Sequence, residues 1–306
     1  MIRHLQHHQL DKQHWDALLE QTGNRMWYAR SAVLDRVAPG WEALVDEGLG
    51  ALMPLTWRTR WGQQYLFQPY AIQQLGVFAP HYDDDLGQRF IDAVPARFRF
   101  WDIHVNEAMR SIRFDRVKES TQQVLPVLGD IEQQRRGYSS GHRRNLRKAE
   151  AYRSQITTDV SGPDFVALFE RSTAERHGGI RPKDRIVLHG LVEDVLRRGE
   201  GRLLGLSEAG RLLAAVLFVE WWGRSILLKS AVDPAAADRN PMFLLVDHYL
   251  ALGAGGNALL DLAGSNHPGT ERFNAGFGAQ RLVYLHLIRN RLPAPLRWLK
   301  QRKDGS

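Results

Sequence analysis

Ala51-Leu52-Met53-Pro54-Leu55-Thr56-Trp57-Arg58-Thr59-Arg60-Trp61-Gly62-Gln63-Gln64-Tyr65-Leu66-Phe67 lies without a gap over Leu212-Leu213-Ala214-Ala215-Val216-Leu217-Phe218-Val219-Glu220-Trp221-Trp222-Gly223-Arg224-Ser225-Ile226-Leu227-Leu228. A Trp-Gly pair sits at one shared point, flanked on both sides by runs of strand-like composition. A second echo follows at almost the same offset: Trp101-Asp102-Ile103-His104-Val105-Asn106 against Leu260-Asp261-Leu262-Ala263-Gly264-Ser265-Asn266. A repeat this long is a duplicated domain, since a solenoid turn has a period of about 20–50 residues. Two copies of one fold commonly put a functional groove between them, and a site is expected there.

The elements around each block keep the same order. In the first half, Asp11 caps a helix carrying Trp15, Leu18 and Leu19 on one face, and a short helix covers Ser31–Val37. Strands are predicted at Trp41–Asp46, Ala51–Arg60 and Gln63–Gln68, with turns at Glu47-Gly48 and Trp61-Gly62. A helix through Leu86, Phe90, Ile91 and Val94 and strands at Phe98–Val105 and Thr121–Leu128 complete it. In the second half, Ser161-Gly162-Pro163-Asp164 is a capping-box start, and Gly178-Gly179 a stop. A stripe at Leu188, Leu191, Val192 and Val195 precedes strands at Leu203–Ser207, Leu212–Glu220 and Ser225–Val232. Asn240-Pro241 then opens a helix with Leu244, Leu245, His248, Tyr249 and Leu252 on one face. Strands at Leu259–Leu262 and Leu282–Ile288 close the chain. The expected fold class is mixed α/β (α+β). Its domains are 1–136 and 154–306, joined by a polar, helical segment at 137–153.

The chain has 306 residues, 43% of them hydrophobic, with nine tryptophans and no cysteine. That supports packed cores, excludes thiol chemistry and disulfides, and is the usage of a reducing cytosol, so a cytoplasmic location is expected. No run approaches the ~18 apolar residues of a membrane span. His4, His7 and His8 lack a patterned carboxylate partner, so no metal site is expected. Lys and Arg exceed Asp and Glu by seven. Between Arg135 and Arg153, seven basic residues face only Glu150. A second basic cluster, Arg289, Arg291, Arg297, Lys300, Arg302 and Lys303, gives the C-terminus a means of contact with an anionic membrane surface.

Three segments carry a family resemblance: Ser139-Ser140-Gly141-His142-Arg143-Arg144-Asn145-Leu146-Arg147-Lys148-Ala149-Glu150; Leu260–Asn266 followed by Arg272-Phe273-Asn274-Ala275-Gly276-Phe277-Gly278-Ala279; and Phe67-Gln68-Pro69-Tyr70 leading into Gln74-Leu75-Gly76-Val77-Phe78. With the order of elements, they resemble the FemAB-like acyl- and aminoacyltransferases, which are tandem GNAT domains. The resemblance implies two such domains, each a mostly antiparallel central sheet flanked by helices. It also implies transfer of an activated acyl or aminoacyl group to an amine, commonly in cell-envelope synthesis, with no tightly bound cofactor. One departure bears on the donor. An acetyl-CoA enzyme usually holds the pyrophosphate on a glycine-containing loop at a helix N-terminus. Here Asp233-Pro234-Ala235-Ala236-Ala237-Asp238-Arg239-Asn240-Pro241 has no glycine, two aspartates and proline in place of NH donors. An aminoacyl-tRNA or carrier-protein thioester fits better than acyl-CoA.

The residues themselves suggest roles. Arg143/Arg147 and Arg144/Lys148 are one helical turn apart and can present charge to donor phosphates. The competing reading is a solvated face packed through Leu146, Ala149 and Tyr152. Lys229 interrupts an apolar strand, where it can stabilise an oxyanion or pair with Asp261 or Asp233. Asp261 and Ser265 sit where the neighbouring strand ends. Asp261 can take the amine's proton or cap the turn. Asn266, His267, Arg239 and Phe273, with Gln68 and Tyr70 of the first half, complete the expected substrate-binding set. Gly276 and Gly278 are expected to fix a tight turn. The expected function is amide-forming N-acyl transfer to a small-molecule or envelope-precursor amine. The alternatives are an acyl-CoA-dependent N-acyltransferase acting on a nucleotide sugar, in polysaccharide or lipid synthesis, and a non-catalytic RNA-binding protein on the duplicated fold.

Overall fold

Contacts in the computed structural model, which describes residues 1–152, 154–263 and 267–297, divide the chain into two units. The first is Met1–Ser120 with the chain from Val283 onward; the second is Thr121–Leu282. These limits differ from the expected 1–136, 137–153 and 154–306. The basic segment folds as part of the second unit, and the last strand carries the chain back into the first.

In chain order, the first unit holds β1 (Arg3–Leu5), α1 (Lys12–Gln21), α2 (Ser31–Val37), β2 (Glu42–Asp46), β3 (Ala51–Leu55), β4 (Trp57–Arg60), β5 (Gln63–Phe67), α3 (Asp84–Ala93) and β6 (Phe98–His104). β7 (Arg116–Pro126) leads into the second unit. Asp11 starts α1 by accepting from the NH groups of Gln13 and His14, and Asp83 starts α3 by accepting from Leu86. The single strand expected over Ala51–Arg60 is two. β3 joins β1 and β2 in one antiparallel sheet, while β4 pairs with β5. Between them Thr56 is buried and donates its hydroxyl to the Phe67 carbonyl, which turns the chain from one sheet to the other. β5 then pairs with β6 in parallel. Leu66, Phe90, Ile91, Trp101 and Ile103 are among the core residues.

The second unit continues with α4 (Ile131–Arg136), α5 (Ser140–Glu150), β8 (Gln155–Thr157), α6 (Gly162–His177), α7 (Pro182–Arg198), β9 (Gly201–Glu208), β10 (Arg211–Trp221), β11 (Arg224–Val232), α8 (Pro241–Ala251), β12 (Leu259–Asp261) and α9 (Pro268–Gly276). β13 (Gln280–Asn290) returns to the first unit and pairs antiparallel with β6. The second sheet runs β7-β12-β11-β10-β9-β8, antiparallel except for β11/β12. α6 packs on β10 and β11, and α8 packs on β9 and β10. α6 starts as expected, with Ser161 Oγ accepting from the Asp164 NH at 3.1 Å. The buried side of α8 is Leu245, Val246, Asp247, Tyr249 and Leu250; Leu252, placed on that face by periodicity, is exposed.

Both Trp-Gly pairs form the same turn. Trp61 and Gly62 have φ of 51° and 70°, and Trp222 and Gly223 have φ of 46° and 78°. Two positive φ values in a two-residue loop match the twist of the flanking strands. A tryptophan in this region costs about 1 kcal/mol and gains little from burial, being 56% exposed at Trp61 and 54% at Trp222. In each unit the hairpin is followed by a helix and a strand parallel to the hairpin's second arm. The duplication is therefore structural: β4-β5-α3-β6 answers to β10-β11-α8-β12.

Among the described residues, no helix is long and apolar enough to cross a membrane. In the C-terminal basic cluster, Arg289 and Arg291 pair with Asp115 at 3.3 and 3.0 Å, and Arg297 donates to the Leu292 carbonyl. Lys300, Arg302 and Lys303 lie outside the described residues, as does Arg153.

Candidate active site

Proline at the first helical position of both α8 and α9 presets each helix start. Those two N-terminal turns and the ends of β11 and β12 enclose a cavity of about 420 Å³, where Leu227, Ser230, Phe243, His267, Thr270 and Phe273 meet. A neighbouring cavity of about 360 Å³ shares Phe243, Gly269 and Phe273 and adds Ser139, His142, Asn145 and Arg272. Ser139 is the N-cap of α5, its Oγ 3.2 Å from the His142 NH. Three helix N-termini thus border adjoining cavities. Each carries a partial positive charge, so the space favours anionic groups and developing negative charge.

His142 is the hub of this region. Its Nε2 lies 2.8 Å from the Phe273 carbonyl and its Nδ1 3.1 Å from Ser139 Oγ. A carbonyl only accepts, so Nε2 carries the proton and Nδ1 accepts from the serine hydroxyl. The ring packs edge-on against Phe243 and Phe277, with centroids at 4.8 and 4.7 Å, and against Phe273 at 5.8 Å. Burial lowers its pKa, with the Phe273 carbonyl opposing, so the imidazole is neutral near pH 7. The sequence does not single out His142 as a site residue. Its one local signal is the three-residue spacing from the capping Ser139; the aromatic enclosure comes from α8, α9 and the residue after α9.

Around that hub, α5 separates packing from charge. His142, Leu146 and Ala149 are buried, and α5 packs on α8. Tyr152, expected in this stripe, stands at the surface, with Arg239 5.3 Å above its ring. Arg143 donates to the Tyr138 carbonyl. Arg144, Arg147 and Lys148 are exposed, and among the described residues none of them has an ion-pair partner. The preceding turn is tied down: Arg135 forks onto the buried Asp247 of α8 at 3.0 and 2.6 Å, joined by the Tyr138 hydroxyl at 3.1 Å.

Lys229 and Asp261, both expected in the catalytic set with Ser265, have separate partners. Leu227, Ser230 and Val232 line the cavity, whereas Lys229 stands opposite Leu217 on the sheet face covered by α6. A register shift beside Leu217 and Phe218 leaves Leu228 as the extra residue and fixes which side chains face which way. Desolvation lowers the Lys229 pKa, opposed by the Asp184 carboxylate of α7, not by Asp261 or Asp233. Asp261 is 1% exposed and accepts from Arg224 at 2.6 and 3.1 Å and from the Ala263 NH at 2.8 Å. It is a buried ion pair and turn cap, without the accessible lone pair a base requires. Ser265 and Asn266 lie outside the described residues.

The β11–α8 loop closes on itself. Asp233 pairs with Arg211 at 2.8 Å and accepts from the Ala235 NH at 3.1 Å. Ala236, Asn240 and Phe243 donate their NH groups to carbonyls within the loop. Asn240 adopts φ 55° and makes no side-chain cap, contrary to the expected N-cap role. Arg239 pairs with Glu208 at 2.6 Å, not with Asp238 or a free anion site. His267 lies on the cavity as the N-cap of α9, with its Nδ1 accepting from the Gly269 NH at 3.2 Å, and Phe273 lies beside it. In the first unit, Gln68 is engaged with backbone, donating to the Ile72 carbonyl and accepting from the His104 NH, both at 2.9 Å. Tyr70 stands in the turn after β5. Among the described residues no cluster of three His, Cys, Asp or Glu is arranged to hold a metal.

Residues 133–273 match the profile of the acetyltransferase (GNAT) domain family. No curated protein sequence matches the chain. Among solved structures the chain is similar to FemX, at 11% identity and a TM-score of 0.67, over 95% of this chain and 98% of that one. It is similar to the C-terminal domain of an Agrobacterium fabrum protein assigned as a lysylphosphatidylglycerol synthetase, at 9% identity and TM-score 0.54, over 95% of each chain. A tandem GNAT protein from the clavulanic acid biosynthesis pathway aligns at 13% identity and TM-score 0.50, over 96% of this chain and all of that one. At these identities the likeness is one of fold, and it runs the length of the chain.

Proposed function

We propose that this chain, a FemAB-like tandem GNAT acyltransferase, joins an activated acyl or aminoacyl group to an amine, with an aminoacyl-tRNA or a carrier thioester as donor. The observation that carries this reading is the junction at α5. Its exposed Arg144, Arg147 and Lys148 offer a phosphate track, and its N-terminus opens at Ser139 and His142 onto cavities that α8 and α9 also border. A phosphate-rich donor lies along the helix while its reactive carbonyl enters the cavity. The self-satisfied β11–α8 loop leaves few NH groups for a free pyrophosphate, which favours a donor held through α5.

In this reading the neutral amine attacks the carbonyl carbon, and negative charge gathers on the carbonyl oxygen. The C–O bond of an ester donor, or the C–S bond of a thioester, then breaks. The leaving oxygen or sulfur takes up a proton as the new amide nitrogen gives one up. The helix N-termini stabilise the oxyanion, and the cavity walls hold the reactants at attack distance. The FemAB-like resemblance of the sequence puts the acceptor amine on an envelope precursor. The match to an acetyltransferase domain favours acyl-CoA as the second reading. Direct binding of tRNA, acyl-carrier protein and several acyl-CoAs to the purified chain separates them. Saturable binding of tRNA or carrier, and amide product from its charged form, is expected. Turnover with acyl-CoA alone would replace this reading by the second.

A further inference from the structure

The first unit holds a cavity of its own, of about 280 Å³. Its floor is the face of the β4-β5-β6-β13 sheet turned away from the core. Leu66, Trp101, Ile103 and Leu287 point into that core. Tyr65, Phe67, Phe100 and Asp102 alternate with them and line the cavity, which Leu292 and Leu296 close at one side. Tyr65 stands edge-on to Phe67 and Phe100, with centroids at 6.2 and 6.3 Å. A small enclosure of rings and aliphatic side chains with a carboxylate on its wall suits a ligand that is apolar at one end and charged at the other.

The charge is the Asp102 carboxylate, whose side chain is 47% exposed. His286 Nε2 lies 2.7 Å from its Oδ1, and the His286 ring lies tilted against His104 with centroids 4.2 Å apart. The carboxylate is thus steadied from the sheet while remaining on the cavity wall. Arg60 also borders the cavity, but its guanidinium lies 4.3 Å over the Trp61 ring at the hairpin end. A carboxylate flanked by aromatic faces recognises a cation, by charge and by the rings' quadrupoles. Asp261, at the corresponding place in the sequence repeat, is buried under Arg224 and has no such access.

We propose that this cavity binds a primary ammonium bearing an apolar group, the ammonium on Asp102 and the apolar group against Tyr65, Phe67, Phe100, Leu292 and Leu296. The site belongs to the first unit alone and does not depend on the donor reading of the second. Calorimetric titration of the full chain with 2-phenylethylammonium, 2-phenylethanol and phenylacetate at neutral pH tests it. The ammonium is expected to bind about tenfold tighter than the alcohol, with phenylacetate weakest. Asp102→Asn should bring ammonium and alcohol to equal affinity, and Leu296→Trp, which fills the cavity, should weaken both. Thermal melts of the variants establish that they are folded. Equal affinities in the wild type, preference for phenylacetate, absence of saturable binding by all three, or an Asp102→Asn variant that keeps the ammonium preference would each overturn the proposal.

Discussion

The imidazole of His142 rests against the bare α-carbon of Gly276, so closely that a β-carbon at that position would overlap the ring. Gly276 is the last residue of α9, and His142 lies in the first turn of α5, so this contact sets how the two helices meet. The glycine expected to serve a tight turn serves a close approach instead: Gly276 is helical, and its missing side chain is the space His142 occupies.

Gly276→Ala should therefore push the ring off the Phe273 carbonyl. Overpacking of this kind costs roughly 1–3 kcal/mol. The melting temperature should fall and amide formation should drop further than the lost stability explains, because the cavity wall moves. Measuring both on one preparation is the check. Wild-type stability with wild-type turnover would show that His142 does not shape the site.

Lys229→Met should leave turnover nearly unchanged. Lys229 stands on the α6-covered face, where burial holds its pKa below the ordinary 10.5. Because the folded value is depressed, the folded state gains stability as pH rises from that lowered value towards 10.5, and loses it as pH falls back through it. The methionine variant should lack this alkaline gain and be at least as stable at pH 7, since an apolar group replaces a desolvated charge. Denaturant melts from neutral to alkaline pH read the difference. A hundredfold loss of kcat in a stable variant would restore Lys229 to the mechanism.

A second titration lies in the first unit. Burial, with help from the His286 charge and against Asp102, lowers His104 from 6.5 to about 4. Stability from the neutral ring is complete above pH 6.5 and is lost as pH falls through about 4. His104→Phe keeps a ring against His286 and Tyr284 but cannot titrate, so its stability should fall less than the wild type's between pH 6.5 and 4. Parallel urea melts across that range make the comparison; identical slopes would show that His104 is already solvated.

The fold was legible where local chemistry repeats. Trp61-Gly62 and Trp222-Gly223 mark the same turn, and Asp11 and Ser161 cap the starts of α1 and α6. What sequence did not reveal is set by distant partners. Asp261 reads as a free strand-end carboxylate until Arg224, across the β11/β12 pair, occupies it. The face taken by Lys229 depends on a one-residue register shift, and alternation alone cannot report it. His142 looked like one polar residue in a basic helix because its three aromatic neighbours come from α8, α9 and the turn after α9.

Whether α5 guides a phosphate-rich donor to the cavity at its N-terminus is read from the salt dependence of tRNA binding to Arg144→Ala/Arg147→Ala/Lys148→Ala. Arg143 is left intact because it holds the Tyr138 carbonyl. Each lost phosphate contact should flatten the slope of log affinity against log salt by about 0.7–0.9, so the triple variant should bind more weakly, with a slope shallower by roughly 2–3 and an unchanged melting temperature. Affinity and slope equal to wild type in the folded triple variant would show that α5 does not carry the donor.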